Sequence, residues 1–128
     1  MAGRGDTSAE AKEMNTLHVQ ITSPNARAPQ KQYQADAGWD LFMPCAGELK
    51  PNDYVKIDMG LRIAVPRGTY ARIVPRSSSS LKGIHMAASV VDCGYRGQLF
   101  VAIRNLGKGT ISWEKGAKIV QLIVEVHR

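Results

Sequence analysis

Short runs of apolar residues, most of them alternating with polar residues, recur along the chain from Leu17 onward. Examples rich in Val and Ile are LHVQI, LRIAV, YARIV, QLFVAI and KIVQLIVEV. A period of two and this composition are typical of strands with one buried face. We therefore predict that each run is a β-strand. TISWEK predicts a further strand, in which Trp113 faces the core or a subunit interface.

Turn-forming segments separate these runs. They are SPNARAP, KPND, VPRGTY, CGYRG, NLGKGT and EKGA, all rich in Gly, Pro, Asn or Asp. Many short strands with frequent turns predict an all-β fold, a barrel or a sandwich. One segment, SSSSLKGIHMAA, is a candidate for a short helical turn that Gly83 would limit.

Length and composition limit the domain organisation and the cellular compartment. The chain has 128 residues, 44% of them apolar, and no apolar run approaches the roughly 18 residues of a membrane span, so we predict one soluble domain over residues 17–128. Residues 1–16 lack an apolar stretch and any periodicity, and are expected to be a disordered leader. Cys45 and Cys93 match neither a zinc spacing nor a disulfide framework, which predicts free thiols and an intracellular protein of the nucleus or the cytoplasm.

The net charge of +6 favours an anionic partner, either a polyphosphate nucleotide or a nucleic acid. Aromatic residues make up only 6% of the chain and form no stacking ladder, so nucleic-acid binding is not expected. His18, His85 and His127 show no metal-ligand spacing and are interpreted as ordinary imidazoles.

The segment VPRSSSSLKGI places an arginine and four serines between two predicted strands. Backbone N–H groups, hydroxyls and the planar Arg76 guanidinium could together cradle phosphate oxygens. Taken alone, the segment is better interpreted as a solvated Ser-rich loop. Whether it binds phosphate depends on the other segments that contain candidate functional residues.

Three further segments place polar groups beside predicted strands. ADAGWDL carries Asp40, which alone would be a strand-start or turn residue. SVVDCGYRGQLFV is typical of a hairpin with Asp92 and Tyr95 in its turn, where Gly94 and Gly97 would permit positive φ. KGAKIVQLIVEV carries Gln121, an amide typical of an edge or of a satisfied core position.

In this order, the four segments resemble the motifs of the trimeric dUTPase family. AGWDL is similar to A-G-x-D-L, PRSSSSLKGI to P-R-S-G with a later Gly, VVDCGYRG to the Asp, Tyr and Gly motif, and GAKIVQLI to G-D-R-I-A-Q-L-I. The interval from Arg76 to Asp92 resembles that of viral members, and the likeness covers Leu17 to Arg128. It implies a homotrimer of jelly-roll-like β-barrels that hydrolyses dUTP to dUMP and pyrophosphate with Mg²⁺, at sites between subunits.

The resemblance also implies a role for each motif residue. Asp92 would orient and deprotonate the water that attacks the α-phosphate, since a general base must lie within hydrogen-bond reach of the proton. Tyr95 would stack on the deoxyribose, while main-chain groups of the hairpin, including those of Val91 and Gly94, would recognise uracil. Other substrate contacts are implied for Arg76, Ser77, Ser78 and Gln121, and a water-mediated Mg²⁺ contact for Asp40.

The chain departs from the family pattern at five positions. Ser78, Ser89 and Ala117 stand where Gly, Gly and Asp are usual, and Gly94 replaces an Asp. Lys118 replaces an Arg and lacks its planar fork, so the sequence does not predict an ion pair there.

Family members normally continue past QLI to a fifth, Gly-rich motif, an arm that closes over the phosphates, whereas the printed chain ends at VEVHR. From these residues alone we expect dUTP binding with reduced turnover, because a missing lid would affect positioning in the transition state.

The alternative function is a dUTPase-derived, non-catalytic interaction or regulatory protein. Against it, Arg76, Asp92, Tyr95 and Gln121 are all present. A dCTP deaminase of related fold is not supported, since its signature residues are not evident.

Overall fold

A computed structural model describes residues 16–33 and 35–127, and within them the chain is almost entirely β-structure, as predicted. The predicted leader, residues 1–16, lies outside the described residues apart from Thr16. The elements are β1 (His18–Ile21), β2 (Gly38–Leu41), β3 (Gly47–Leu49), β4 (Tyr54–Ala64), β5 (Thr69–Pro75), α1 (Ser77–Leu81), β6 (Ile84–Ala88), β7 (Val90–Val91), β8 (Gln98–Asn105), β9 (Ile111–Trp113) and β10 (Val120–Val126).

The strands form two four-stranded antiparallel sheets and one small ribbon. The first sheet has the order β1-β4-β8-β6, the second has the order β2-β10-β5-β7, and β3 pairs with β9. The two large sheets share one hydrophobic core, so the predicted sandwich is confirmed. Most neighbours in each sheet are distant in sequence, as expected when strands connect across two layers.

Alternating side chains build this core from both sheets. Leu99, Val101 and Ile103 of β8 are buried while their neighbours face outward. Val120 and Leu122 of β10 are fully buried in the same cluster. Trp113 also lies in the core, and its indole Nε1 donates a hydrogen bond to a backbone carbonyl in the β2–β3 connection at 3.1 Å.

Local details differ from the predicted elements. LRIAV is the second half of β4 rather than a separate strand, and a register shift between Asp58 and Arg62 bends that strand around Gly60, whose φ is 70°. The predicted helical turn is confirmed as α1. It ends before Gly83, whose φ of 105° suits glycine, and the residues that follow form β6. In the described part of the chain, no helix has the length and apolar character needed to cross a bilayer.

A fully buried amide closes the end of the sandwich. The Asn105 side chain is 0% exposed, and its Nδ2 donates hydrogen bonds to the carbonyl oxygens of Leu49 and Gly109 at 2.9 and 2.8 Å. Its Oδ1 accepts a hydrogen bond from the backbone N–H of Gly107 at 2.8 Å. One side chain therefore satisfies three buried or half-buried backbone groups that join β3, β8 and the β8–β9 turn.

Replacing this amide should destabilise the fold strongly. We expect Asn105→Leu to lower the free energy of unfolding by about 3 kcal/mol or more, because three backbone groups lose their partner while buried. Urea unfolding followed by circular dichroism measures this change. Asn25→Leu, at an exposed asparagine, is the matched control and should change stability by less than about 0.5 kcal/mol. Equal losses of stability in the two variants would contradict the stabilising role of the Asn105 amide.

Candidate functional site

Three neighbouring strands bring together polar residues that are far apart in the sequence. Gln121 on β10 lies opposite Asp40 on β2 and opposite Val74 on β5. Arg76 follows the end of β5 directly, and its backbone N–H donates a hydrogen bond to the carbonyl oxygen of Ile119 at 3.1 Å. Asp40, Arg76 and Gln121 therefore meet on the outer face of the second sheet, at one end of its central strands.

Two cations flank the Asp40 carboxylate. Its Oδ1 lies 3.6 Å from Nη1 of Arg76, and its Oδ2 lies 3.9 Å from Nζ of Lys118. Lys118 therefore keeps an ion pair that the sequence did not predict, because a flexible ammonium can reach the carboxylate without a planar fork. Both contacts are longer than a hydrogen bond, so the two cations retain donors for an anionic ligand.

Gly38 determines where the Gln121 amide lies. A Cβ atom on Gly38 would collide with the side-chain oxygen of Gln121, which lies across the glycine. The glycine of the AGWDL motif is thus needed for close approach rather than for an unusual backbone angle. The absence of a Cβ at this position lets the amide lie across β2, beside the Asp40 that pairs with Gln121.

These residues line a cleft of about 580 Å³. Ser77 and Ser78 at the start of α1 are exposed to it, whereas Ser79 is only 4% exposed and belongs to the packing beneath. The serine run is thus divided between the cleft and the core. The predicted phosphate contacts Arg76, Ser77, Ser78 and Gln121 lie together here with Asp40.

Sequence reasoning missed two polar residues of the cleft wall, Gln32 and Asp36. The Asp36 carboxylate accepts a hydrogen bond from the backbone N–H of Tyr33 at 2.9 Å, so it also closes the loop before β2. The signal for Asp36 was its place two residues before the glycine of AGWDL. Gln32 carries no such signal, because a polar loop residue has no periodicity.

The donor set fits a magnesium ion that arrives with its substrate. Among residues 16–33 and 35–127, no group of three or more His, Cys, Asp or Glu side chains is arranged to hold a metal. Mg²⁺ usually keeps several waters and binds through one or two carboxylates together with substrate phosphates. Asp40 supplies one such carboxylate, and the cations beside it disfavour a bare metal ion without phosphate.

Asp92 and Tyr95 lie elsewhere in the chain's own fold. Val91 of β7 pairs with Ala71 of β5, five positions before Arg76. Since a strand rises about 3.3 Å per residue, Val91 lies roughly 16 Å along the sheet from Arg76. The antiparallel direction carries Asp92 further away. One chain therefore does not bring its own predicted base to its own phosphate cleft.

The segment around Asp92 is not the hairpin that we predicted. β7 pairs with β5 in the second sheet, whereas β8 pairs with β4 and β6 in the first, so the loop between them crosses from one sheet to the other. Gly94 and Gly97 do not have positive φ either. The prediction was wrong because adjacent apolar runs joined by glycines need not pair with each other.

Gly97 is required instead by the Tyr95 ring. A Cβ atom at Gly97 would lie 2.7 Å from the tyrosine hydroxyl oxygen, which donates a hydrogen bond to the carbonyl oxygen of Gln98. Asp92 is exposed, and its carbonyl oxygen accepts a hydrogen bond from the Tyr95 N–H at 3.0 Å. Tyr95 is 42% exposed, so part of its ring is free to contact another molecule.

A side-chain network fixes the Gln98 end of this loop. Nε2 of Gln98 donates hydrogen bonds to Thr22 Oγ1 at 2.9 Å and to Asp58 Oδ1 at 3.0 Å. Its Oε1 accepts a hydrogen bond from Arg62 Nε at 3.0 Å. The amide thus ties the start of β8 to the bulge in β4, and the loop is anchored at both ends in different sheets.

A third ion pair lies further along the outer face of the second sheet. The guanidinium of Arg72 contacts both carboxylate oxygens of Glu125 at 3.0 and 3.3 Å. The hydrogen bond from Arg72, followed by one from Tyr70, lowers the pKa of Glu125. The hydrogen bond to Glu125 in turn raises the pKa of Tyr70. These groups, of which Arg72 is exposed and the other two are half-buried, pair with one another across β5 and β10, outside the cleft.

Known proteins with similar sequences and structures share one description. The profile of the family described as dUTPase matches residues 24–128. The deoxyuridine 5'-triphosphate nucleotidohydrolase of Mus musculus is 36% identical over 118 residues, covering 91% of this chain and 73% of its own length. That of Cowpox virus is 36% identical over 100 residues, covering 78% and 68%. A solved structure of a mutant dUTPase from phage phi11 of S. aureus, described as coordinating a structural Mg(II) ion, has a TM-score of 0.80 at 25% identity and covers 88% of this chain and 92% of that chain.

Filling the space at Gly38 should displace the Gln121 amide. We expect Gly38→Ala to weaken binding of a non-hydrolysable dUTP analogue by about tenfold or more, because a hydrogen bond to a charged group is lost. Isothermal titration calorimetry measures the affinity. Gly109→Ala is the matched control, since a Cβ there meets nothing within 4 Å and the backbone angle is ordinary. Unchanged affinity in Gly38→Ala would show that the amide does not contact the nucleotide.

Proposed function

Because the chain belongs to the dUTPase family, we propose that it hydrolyses dUTP to dUMP and pyrophosphate as a homotrimer, with Mg²⁺. The observation that carries this proposal is the cleft in which Arg76, Ser77, Ser78, Gln121 and Asp40 meet. It combines donors for phosphate oxygens with one carboxylate for a hydrated metal ion. We further propose an intracellular setting, consistent with two free cysteines.

The separation of the two halves of the site supports the oligomer. The Asp92 loop and the phosphate cleft of one chain lie at different ends of β5, yet both are needed for the proposed chemistry. A cyclic trimer with heterologous interfaces would place the loop of one subunit against the cleft of the next, three times over. Each site would then be complete only in the assembly.

The proposed reaction is a displacement at the α-phosphorus. Asp92 accepts a proton from water while the water oxygen forms a bond to the α-phosphorus, and the bond to the bridging oxygen of the β-phosphate breaks. Arg76 and the two serine hydroxyls hold the phosphates, and Gln121 orients the α-phosphate or the water. Mg²⁺, held through water by Asp40 when it is bound, would neutralise charge on the phosphates. Phosphoryl transfer asks the protein mainly for such positioning and charge stabilisation.

The exposed ring of Tyr95 supports the proposed selectivity for deoxyribose. A ring that stacks on the sugar would leave no space for a 2′-hydroxyl, and backbone groups near Val91 and Gly94 would recognise uracil. UTP would then be rejected by the sugar contact, and dCTP and dTTP by the base contacts.

A pyrophosphate-release assay on dUTP, dCTP, dTTP and UTP, with and without Mg²⁺, tests the function directly. Release from dUTP with Mg²⁺, and much slower release from the other three nucleotides, is the expected result. Equal rates with UTP and dUTP would remove Tyr95 from its role. No release from any of the four would favour an interaction or regulatory protein instead.

Removing the base should separate turnover from binding. We expect Asp92→Asn to lower kcat by roughly two to four orders of magnitude, while dUTP affinity changes little, since the amide keeps the shape but not the basicity. Steady-state kinetics and calorimetry provide the two measurements. A near-normal kcat in this variant would exclude Asp92 as the base.

Mixing two inactive variants tests the shared site. Asp92→Asn and Arg76→Gln chains should each be inactive alone. When they are co-refolded in equal amounts, random assembly should restore about a quarter of the wild-type activity, because one site in four combines an intact Asp92 and an intact Arg76 from different subunits. Light scattering should give about three times the 14.0 kDa chain mass for every sample. No recovery in mixed trimers would place both groups in one subunit.

A further inference from the structure

A second, basic pocket adjoins the phosphate cleft on the far side of Asp40. It encloses about 430 Å³, and we call it the Arg27 pocket. Its principal lining residues are Arg27, Gln30, Lys31, Asp40, Phe42 and Lys118. Asp40 and Gln32 line both this pocket and the cleft, so the two spaces share a wall.

Aromatic rings, rather than carboxylates, position two of its three cations. The guanidinium of Arg27 lies 3.9 Å from the centroid of the Phe42 ring, and the Lys31 ammonium lies 5.0 Å from that of Trp39. Cation–π contacts hold a cation in place without neutralising its charge. Within residues 16–33 and 35–127, neither cation has a carboxylate at ion-pair distance.

The charge in the pocket is therefore unbalanced. Three cations face one carboxylate, and that carboxylate is already shared between Lys118 and Arg76. A concave surface lined by one sign of charge concentrates counter-ions of the other sign. The pocket is open and largely polar, which suits a hydrated polyanion better than a nucleobase.

We propose that the Arg27 pocket binds inorganic pyrophosphate, the leaving group of the proposed reaction, at a site separate from the phosphate cleft. The inference rests on the proposed function for its choice of anion. The planar fork of Arg27 and the ammonium groups of Lys31 and Lys118 supply the donors. The shared wall gives the anion a short path out of the cleft once the bond to the α-phosphorus has broken.

Calorimetric titration of the full chain with inorganic pyrophosphate, in the absence of nucleotide, tests this site. We expect Arg27→Gln/Lys31→Gln to weaken pyrophosphate binding by at least tenfold, because two charge-assisted contacts are lost. Lys50→Gln/Lys108→Gln removes the same charge from exposed positions outside the pocket and should stay within about twofold of wild type. Arg76→Gln, a cleft variant, should retain pyrophosphate binding.

Three outcomes would overturn the inference. In the first, Arg76→Gln abolishes pyrophosphate binding and the pocket variant does not, so that the anion binds only in the cleft. In the second, the pocket and control variants weaken binding equally, which indicates a general field effect. In the third, the pocket variant loses affinity for a single-stranded oligonucleotide but not for pyrophosphate.

The same titration distinguishes failure of this site from failure of the proposed function. Pyrophosphate binding is measured without turnover, so a chain that hydrolyses no nucleotide still gives a result. Conversely, a chain that hydrolyses dUTP but binds pyrophosphate equally with and without Arg27 and Lys31 rejects the pocket alone. Circular dichroism of each variant confirms that the fold is intact.

Discussion

The two-residue period of β10 is the constraint on which both the core and the cleft depend. Val120 and Leu122 point into the core, so Gln121 between them must point outward. The strand pairing then sets this amide between Asp40 and Val74. A shift of one residue would bury the amide and expose two apolar side chains. Core packing therefore selects the register that assembles the cleft, and the two cannot vary independently at this strand.

The geometry of β5 explains why a small fold would need several copies for one site. The strand carries the start of the phosphate cleft at its end and pairs with β7 near its middle, so a single chain keeps the two halves of the chemistry apart. Enlarging the chain would be one solution. In the proposed cyclic trimer, a neighbouring subunit would instead supply the missing half of each site, so the chain itself would not have to be larger.

The sequence predicted the strands well, because alternation in segments such as QLFVAI reflects burial in one core. It predicted the cleft residues through their resemblance to known motifs, and the structure brings Asp40, Arg76 and Gln121 together. The Asp92 loop was misread, because strand pairing across two sheets depends on the whole topology rather than on a local pattern. The cations of the Arg27 pocket could not be predicted from the sequence for a similar reason. Loop residues such as Arg27 have no period, and only the fold shows which rings lie beneath them.

The loop that carries Asp92 crosses between sheets, and this links its position to the thickness of the sandwich. One end follows Val91, which packs into the core from the second sheet, and the other is held through Gln98 to the first. Any change in the spacing of the two sheets, for example from a remote core substitution, therefore moves Asp92 relative to Gln98. Under the proposed mechanism, a core substitution that changes this spacing would alter kcat although no residue that contacts the nucleotide is replaced.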